Sequence, residues 1–151
     1  MPGTPDSGSP DTILAIDYGQ RRIGVAVGQN VTGSANPIGV IRNGDDGPDW
    51  AAFERILADW TPARIVVGMP LAVDGSATEM SGHVTRFIDT LARYRLPVET
   101  VDERYTSHEA EELLKGERAL GIRGRISRDM IDAAAAVLIA ERWLDRAARG
   151  A

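Results

Sequence analysis

Residues 13–27 read Ile13-Leu14-Ala15-Ile16-Asp17-Tyr18-Gly19-Gln20-Arg21-Arg22-Ile23-Gly24-Val25-Ala26-Val27. Four consecutive apolar residues predict a strand covered on both faces. An aspartate stands where that strand runs out. A glycine-containing turn follows, and then a second strand alternates Ile23, Val25 and Val27 with Gly24, Ala26 and Gly28. An unpaired charge at the mouth of a central strand is costly. A cation, alone or bridging a substrate phosphate, offsets that cost. Asp17 is therefore the first candidate site residue.

Working outward, strands are predicted near 12–17, 22–28 and 37–42, over 64–68 and at 98–101. Residues 1–11, rich in Pro, Gly, Ser and Asp, read as a disordered tail, leaving 12–151 as a single domain. Asp45-Asp46-Gly47-Pro48 reads as a loop. Trp50, Phe53, Ile56, Leu57 and Trp60 then follow helical spacing until Pro62. A second helix is predicted over 79–94, with Val84, Phe87, Ile88 and Leu91 on its apolar face. Pro97 introduces the last strand, which ends in Asp102-Glu103-Arg104. Thr106 and Glu109 have capping-box spacing and start a short helix to about Leu114. A final helix runs from 127 or 128 to about 149. Hairpins first and strand–helix alternation later predict an α/β fold: a mixed sheet of about five strands, the first one central, with flanking helices.

The bulk properties fit this reading. A chain of 151 residues, 43% apolar and 26% charged, is long enough for one full core. It has no apolar run near the ~20 residues of a membrane span. The first eleven residues lack the segments of a signal peptide, so a cytoplasmic location is expected. The absence of cysteine excludes thiol catalysis and Cys-based zinc sites. A net charge of −5 argues against nucleic-acid binding by the whole surface but allows a local basic patch.

Three acidic positions stand at the edges of core elements. Asp17 closes the first strand. Asp102, with Glu103 beside it, closes the last. Asp132 heads a stripe of Ala135, Ala136, Ile139 and Trp143 on the final helix, whose small alanines permit close approach to the sheet. Magnesium and manganese take hard oxygen ligands, and two such ions ~3.5–4 Å apart can clamp a phosphodiester during attack by water. The two histidines, His83 and His108, have no zinc-like spacing. Each acid also has a plainer explanation. Asp17 alone fits an Asx turn. Asp102-Glu103-Arg104 alone fits an exposed ion pair. Asp129 suits the first helical turn through the macrodipole, and the three tryptophans suit core anchors. Residues 115–128 carry Lys115, Arg118, Arg123, Arg125 and Arg128 against Glu117, with glycines at 116, 121 and 124. That segment reads as a phosphate-contacting loop rather than a merely solvated one.

Four blocks in order carry a family resemblance: AIDYGQRRIGVAVG at 15–28, IVVGMPLAVDGS at 65–76, VDERYTSHEA at 101–110 and DMIDAAAAVLIA at 129–140. Together they resemble the YqgF/RuvX family over roughly residues 12–145. The resemblance implies an RNase H-like fold and a nuclease that processes the 5′ end of pre-16S rRNA. Holliday-junction resolution on structured DNA, or non-catalytic RNA binding on the same fold, are the alternatives. It implies that Asp17 is the first-strand catalytic acid and Asp132 the final-helix acid. The strand at 64–68 has no acid, so Asp102 or Glu103 is left as the second. Arg22, Arg104, Arg123, Arg125 and Arg128 are expected to contact phosphates, because a carboxylate site repels a nucleic-acid backbone until cations offset it. A sugar-kinase or actin-like ATPase opens with a similar strand and turn, but its cleft needs two such lobes and this chain has room for one.

Overall fold

The computed structural model describes residues 9–102 and 128–150. Ser9–Asp17 forms β1, Arg22–Gln29 β2, Ser34–Gly44 β3, Gly47–Pro48 β4, Pro62–Met69 β5 and Val98–Asp102 β6. They make one mixed sheet in the order β4-β3-β2-β1-β5-β6. β1 is central, antiparallel to β2 and parallel to β5, which is parallel to β6. Helices Trp50–Trp60 (α1) and Glu79–Thr90 (α2) pack with the 3-10 turn Leu91–Tyr94 on one face; Arg128–Ala148 (α3) packs on the other.

The alternation of β1 explains the two cores. Ile13 and Ala15 face α3, where they meet Ala136, Ile139, Ala140 and Trp143. Leu14 and Ile16 face Phe53, Val84, Phe87 and Leu91 on the opposite side. Both sets are buried, as a strand covered on both faces requires. The stripe expected on the final helix is the buried one: Ala135, Ala136 and Ile139 are fully enclosed. Of the three tryptophans, Trp143 is buried and Trp50 packs among Phe53, Phe87 and Tyr94, but Trp60 is 37% exposed.

Four expectations are corrected. The sheet has six strands rather than five, because the chain turns at Asp45-Asp46 and pairs Gly47 and Pro48 back onto Gly44 and Asn43. Gly47 has φ 100, open to glycine, and a proline is tolerated on an edge. β3 begins at Ser34 rather than 37, since a bulge sets Val25 opposite Gly39 but Ala26 opposite Pro37. The extra residue absorbs the proline without ending the strand. β1 begins at Ser9, inside the expected tail, with Ser9 paired to Pro62. The helix expected over 79–94 is α-helical only to Thr90; its last turn tightens to 3-10 before Arg95, at φ 58, reverses the chain. The short helix expected from Thr106 lies outside the described residues.

The C-terminal half of α3 is tied down by polar contacts. Trp143 Nε1 donates to Glu99 Oε1 at 3.0 Å, Arg64 pairs with the same carboxylate, and the Arg64 guanidinium lies over the Trp143 ring. The indole N–H, and then Arg64, hold the Glu99 carboxyl below its ordinary value. Arg142 donates to the Asp102 carbonyl at 2.6 Å. These contacts leave α3 little freedom to slide, so the position of Asp132 at its other end is set by the sheet.

Candidate active site

The carboxyl ends of the parallel strands β1, β5 and β6 come to one sheet edge, and β2 starts there. In open α/β sheets that edge is where ligands bind. Asp17 is the last residue of β1 and shares the parity of Ile13 and Ala15, so it belongs to the α3 side. Its register partner on β2 is Gly24. A Cβ on Gly24 would lie 2.0 Å from the backbone oxygen of Asp132. Strand and helix therefore touch backbone to backbone at this point, and only glycine fits. That close approach brings the Asp132 backbone against the strand position that pairs with Asp17.

Arg22 completes the group. Two residues before Gly24, it has the same parity, and its Nε donates to Asp132 Oδ2 at 3.0 Å. Asp129 Oδ1 is 3.9 Å from the same nitrogen. The Arg22 and Asp132 side chains are 25% and 20% exposed, partly shielded but reachable. Both line an open cleft of about 270 Å³ with Gly19, Gln20, Arg21 and Met80. Asp17 stands two residues before the first of these.

The β1–β2 turn is held from below by a residue that sequence patterns did not single out. Asn43 on β3 is 6% exposed; its Nδ2 donates to the Gly19 carbonyl at 2.8 Å, and its backbone N–H donates to Arg21 O at 2.9 Å. Gly19 itself has no room for a side chain, since a Cβ would meet Arg22 O at 2.5 Å. Asn43 thus fixes the backbone between Asp17 and Arg22. Asn43→Leu should leave the Gly19 carbonyl without that donor and cost about 1–3 kcal/mol in urea unfolding. An unchanged midpoint would show that the turn does not depend on it.

Asp102 ends β6 at the same sheet edge but at the opposite parity: Val101 packs in the α3 core, whereas Val98, of Asp102's parity, packs in the other. Among the described residues, no three acidic or histidine side chains come together as a metal site. Glu103, Arg104, Arg123 and Arg125 lie outside the described residues. Arg128 opens α3, and its side chain lies outside them too. Asp129 takes the first-turn place expected of it. Among the described residues no helix is long and apolar enough to cross a membrane.

The sequence profile of the RuvX family, described as Holliday junction resolvase, matches residues 11–146. A Pseudomonas putida protein named "Putative pre-16S rRNA nuclease" is 44% identical over 136 residues, covering 88% of this chain and 94% of its own. A Burkholderia multivorans protein of the same name is 44% identical over 147 residues, covering 97% and 95%. Among solved structures, Thermus thermophilus RuvC in complex with a Holliday junction substrate aligns with TM-score 0.54 at 16% identity, covering 93% of this chain and 97% of that one. The Fowlpox virus resolvase in complex with Holliday junction DNA aligns with TM-score 0.55 at 10% identity, covering 90% and 98%. At those identities the likeness is one of fold, and the fold is RNase H-like.

Proposed function

Because this chain belongs to the RuvX family and is a hydrolase of phosphodiester bonds, we propose that it is a metal-dependent nuclease acting at the 5′ end of pre-16S rRNA in the cytoplasm. The observation that carries this reading is the backbone contact at Gly24, which sets the Asp132 backbone against the strand position that pairs with Asp17. Residues 12–151 act as one nuclease domain. Asp17 and Asp132 are two of the carboxylates that would hold Mg2+ or Mn2+. Hard oxygen donors at a strand mouth suit such ions. Asp102 or Glu103 would supply the third carboxylate. When bound, the metal supplies charge for the phosphoryl oxygens and lowers the pKa of an attacking water.

The chain's own residues do the rest. Arg22, which pairs with Asp132, would meet a phosphate of the substrate. Arg104, Arg123, Arg125 and Arg128 extend the phosphate contacts along the substrate. Such contacts position a backbone without reading bases, so preference for a site comes from RNA shape and accessible single strand.

The test is incubation of the pure protein with labelled pre-16S leader RNA, unstructured single-stranded RNA and four-way DNA junctions, with manganese or with chelator. Manganese-dependent cleavage of the leader is the expected result. Cleavage confined to the four-way junction would replace the reading with junction resolution. Tight RNA binding with no cleavage of any substrate would replace it with a non-catalytic RNA-binding role.

A further inference from the structure

We propose that the cleft at the β1–β2 turn takes one unpaired nucleotide of the RNA substrate, with its phosphate on Arg21 and its base against Met80. This rests on the reading of the protein as a nuclease of pre-16S rRNA, and adds the form in which that strand is held. The cleft, of about 270 Å³, sets Gln20, Arg21 and Arg22 opposite Met80, with Asp132 beside them. One carboxylate against two guanidiniums leaves it net positive, so it attracts an anion. Asp132 is already paired with Arg22, 3.0 Å from its Nε. Arg21 is exposed, and among the described residues no hydrogen bond or ion pair engages its guanidinium. The same holds for the Gln20 amide.

Both walls of the cleft are braced from inside. Among the described residues three polar side chains are buried, Thr12, Asn43 and Ser81, and two of them stand behind this cleft. Asn43 holds the Gly19 and Arg21 carbonyls on one side. Ser81, next to Met80, donates to the Pro70 carbonyl and closes a capping box with Thr78 on the other. Buried polar groups satisfied in this way fix a single arrangement. Turn and Met80 are therefore held at a set spacing before a ligand arrives. The chemistry across the gap is mixed. Met80 offers a polarizable thioether that packs well on an aromatic ring. Gln20 carries both a donor and an acceptor for a base edge, and Arg21 carries a fork of donors for a phosphate. A bare phosphate would leave Met80 and Gln20 unused, whereas a nucleotide engages all three. The volume lies just under the roughly 300 Å³ at which pockets for drug-sized ligands begin. That is room for one nucleotide and not for a base-paired segment, so the base must be unstacked to enter.

The Met80 methyl NMR signal of the unaltered protein tests this without cleavage and without metal, its assignment given by its loss in Met80→Leu. In chelator, a short single-stranded RNA should move that signal upfield, as a ring current over the thioether does. A fully paired RNA duplex, and an abasic ribose-phosphate oligomer of the same length, should not. In fluorescence anisotropy Met80→Ala should bind the single-stranded RNA about fivefold more weakly than the parent, and the abasic oligomer equally well. Arg21→Gln should weaken both and flatten the salt dependence by about one unit of slope. A stationary Met80 signal while RNA binds, an equal shift with the abasic oligomer, or equal losses for Met80→Ala on both ligands would each overturn the nucleotide pocket and leave the nuclease reading standing. A shift with free uridine 5′-monophosphate but none with RNA would overturn it in favour of a free-nucleotide site. Absence of binding to any RNA or DNA, with or without Mg2+, would overturn the nuclease reading and the pocket together.

Discussion

Gly24→Ala will cost this protein about 3 kcal/mol or more, well above what a surface glycine-to-alanine change does. The added carbon would stand 2.0 Å from the Asp132 carbonyl oxygen and 2.6 Å from its carbon. Neither is the end of a flexible side chain, so no rotamer change relieves the overlap. Strand and helix must separate. Separation opens the contact between β2 and α3 along Ala26, Ala136 and Ala140, all fully buried. For a chain of this size the loss corresponds to a fall of about 6–12 °C in Tm. Gly44→Ala is the control, because a Cβ there meets nothing within 4 Å. Circular dichroism melts and urea curves on both variants decide the matter. A Gly24→Ala protein with the parent's Tm would mean that α3 does not seat on β2 as closely as the structure has it.

That contact also marks how far the sequence could be read. The apolar run of β1, its closing Asp17 and the central place of that strand are local patterns, and periodicity carries them. The buried stripe under Asp132 is legible for the same reason: Ala135, Ala136, Ile139 and Trp143 recur at helical spacing. What Gly24 is for was not legible, since its partner lies more than a hundred residues away and no local pattern encodes the meeting. Asn43 was missed because it precedes Gly44-Asp45-Asp46-Gly47 and looks like one more turn residue; its hydrogen bond to Gly19 spans 24 positions. The bond from Arg22 to Asp132 spans 110. The start of β3 before Pro37 was not legible, because only the bulge between the Val25 and Ala26 pairings shows that the strand continues past the proline. The face that Asp102 takes was not legible either, since it depends on which of Val98 and Val101 packs against α3.

Asp17→Asn should keep the fold and lose at least about a hundredfold in single-turnover cleavage, the rate equivalent of roughly 3 kcal/mol of transition-state stabilisation. The substitution preserves size and leaves the β1–β2 register through Gly24 intact. It removes one unit of negative charge and turns an acceptor-only group into one that also donates, a poor ligand for a hard divalent ion. The loss should therefore appear as weaker Mn2+ binding and a slower chemical step. Affinity for RNA should change little, because phosphate contacts are assigned to arginines. Asp132→Asn should lose activity to a similar degree, and in addition should loosen the hold on Arg22. The Asp132 variant thus differs from the Asp17 variant in also removing the charge that pairs with Arg22. Rapid-quench cleavage of the leader RNA at saturating enzyme, with Mn2+ varied, gives both rate and ion affinity. An Asp17→Asn protein that cleaves at the parent's rate in excess chelator would refute carboxylate-held metal as the source of catalysis.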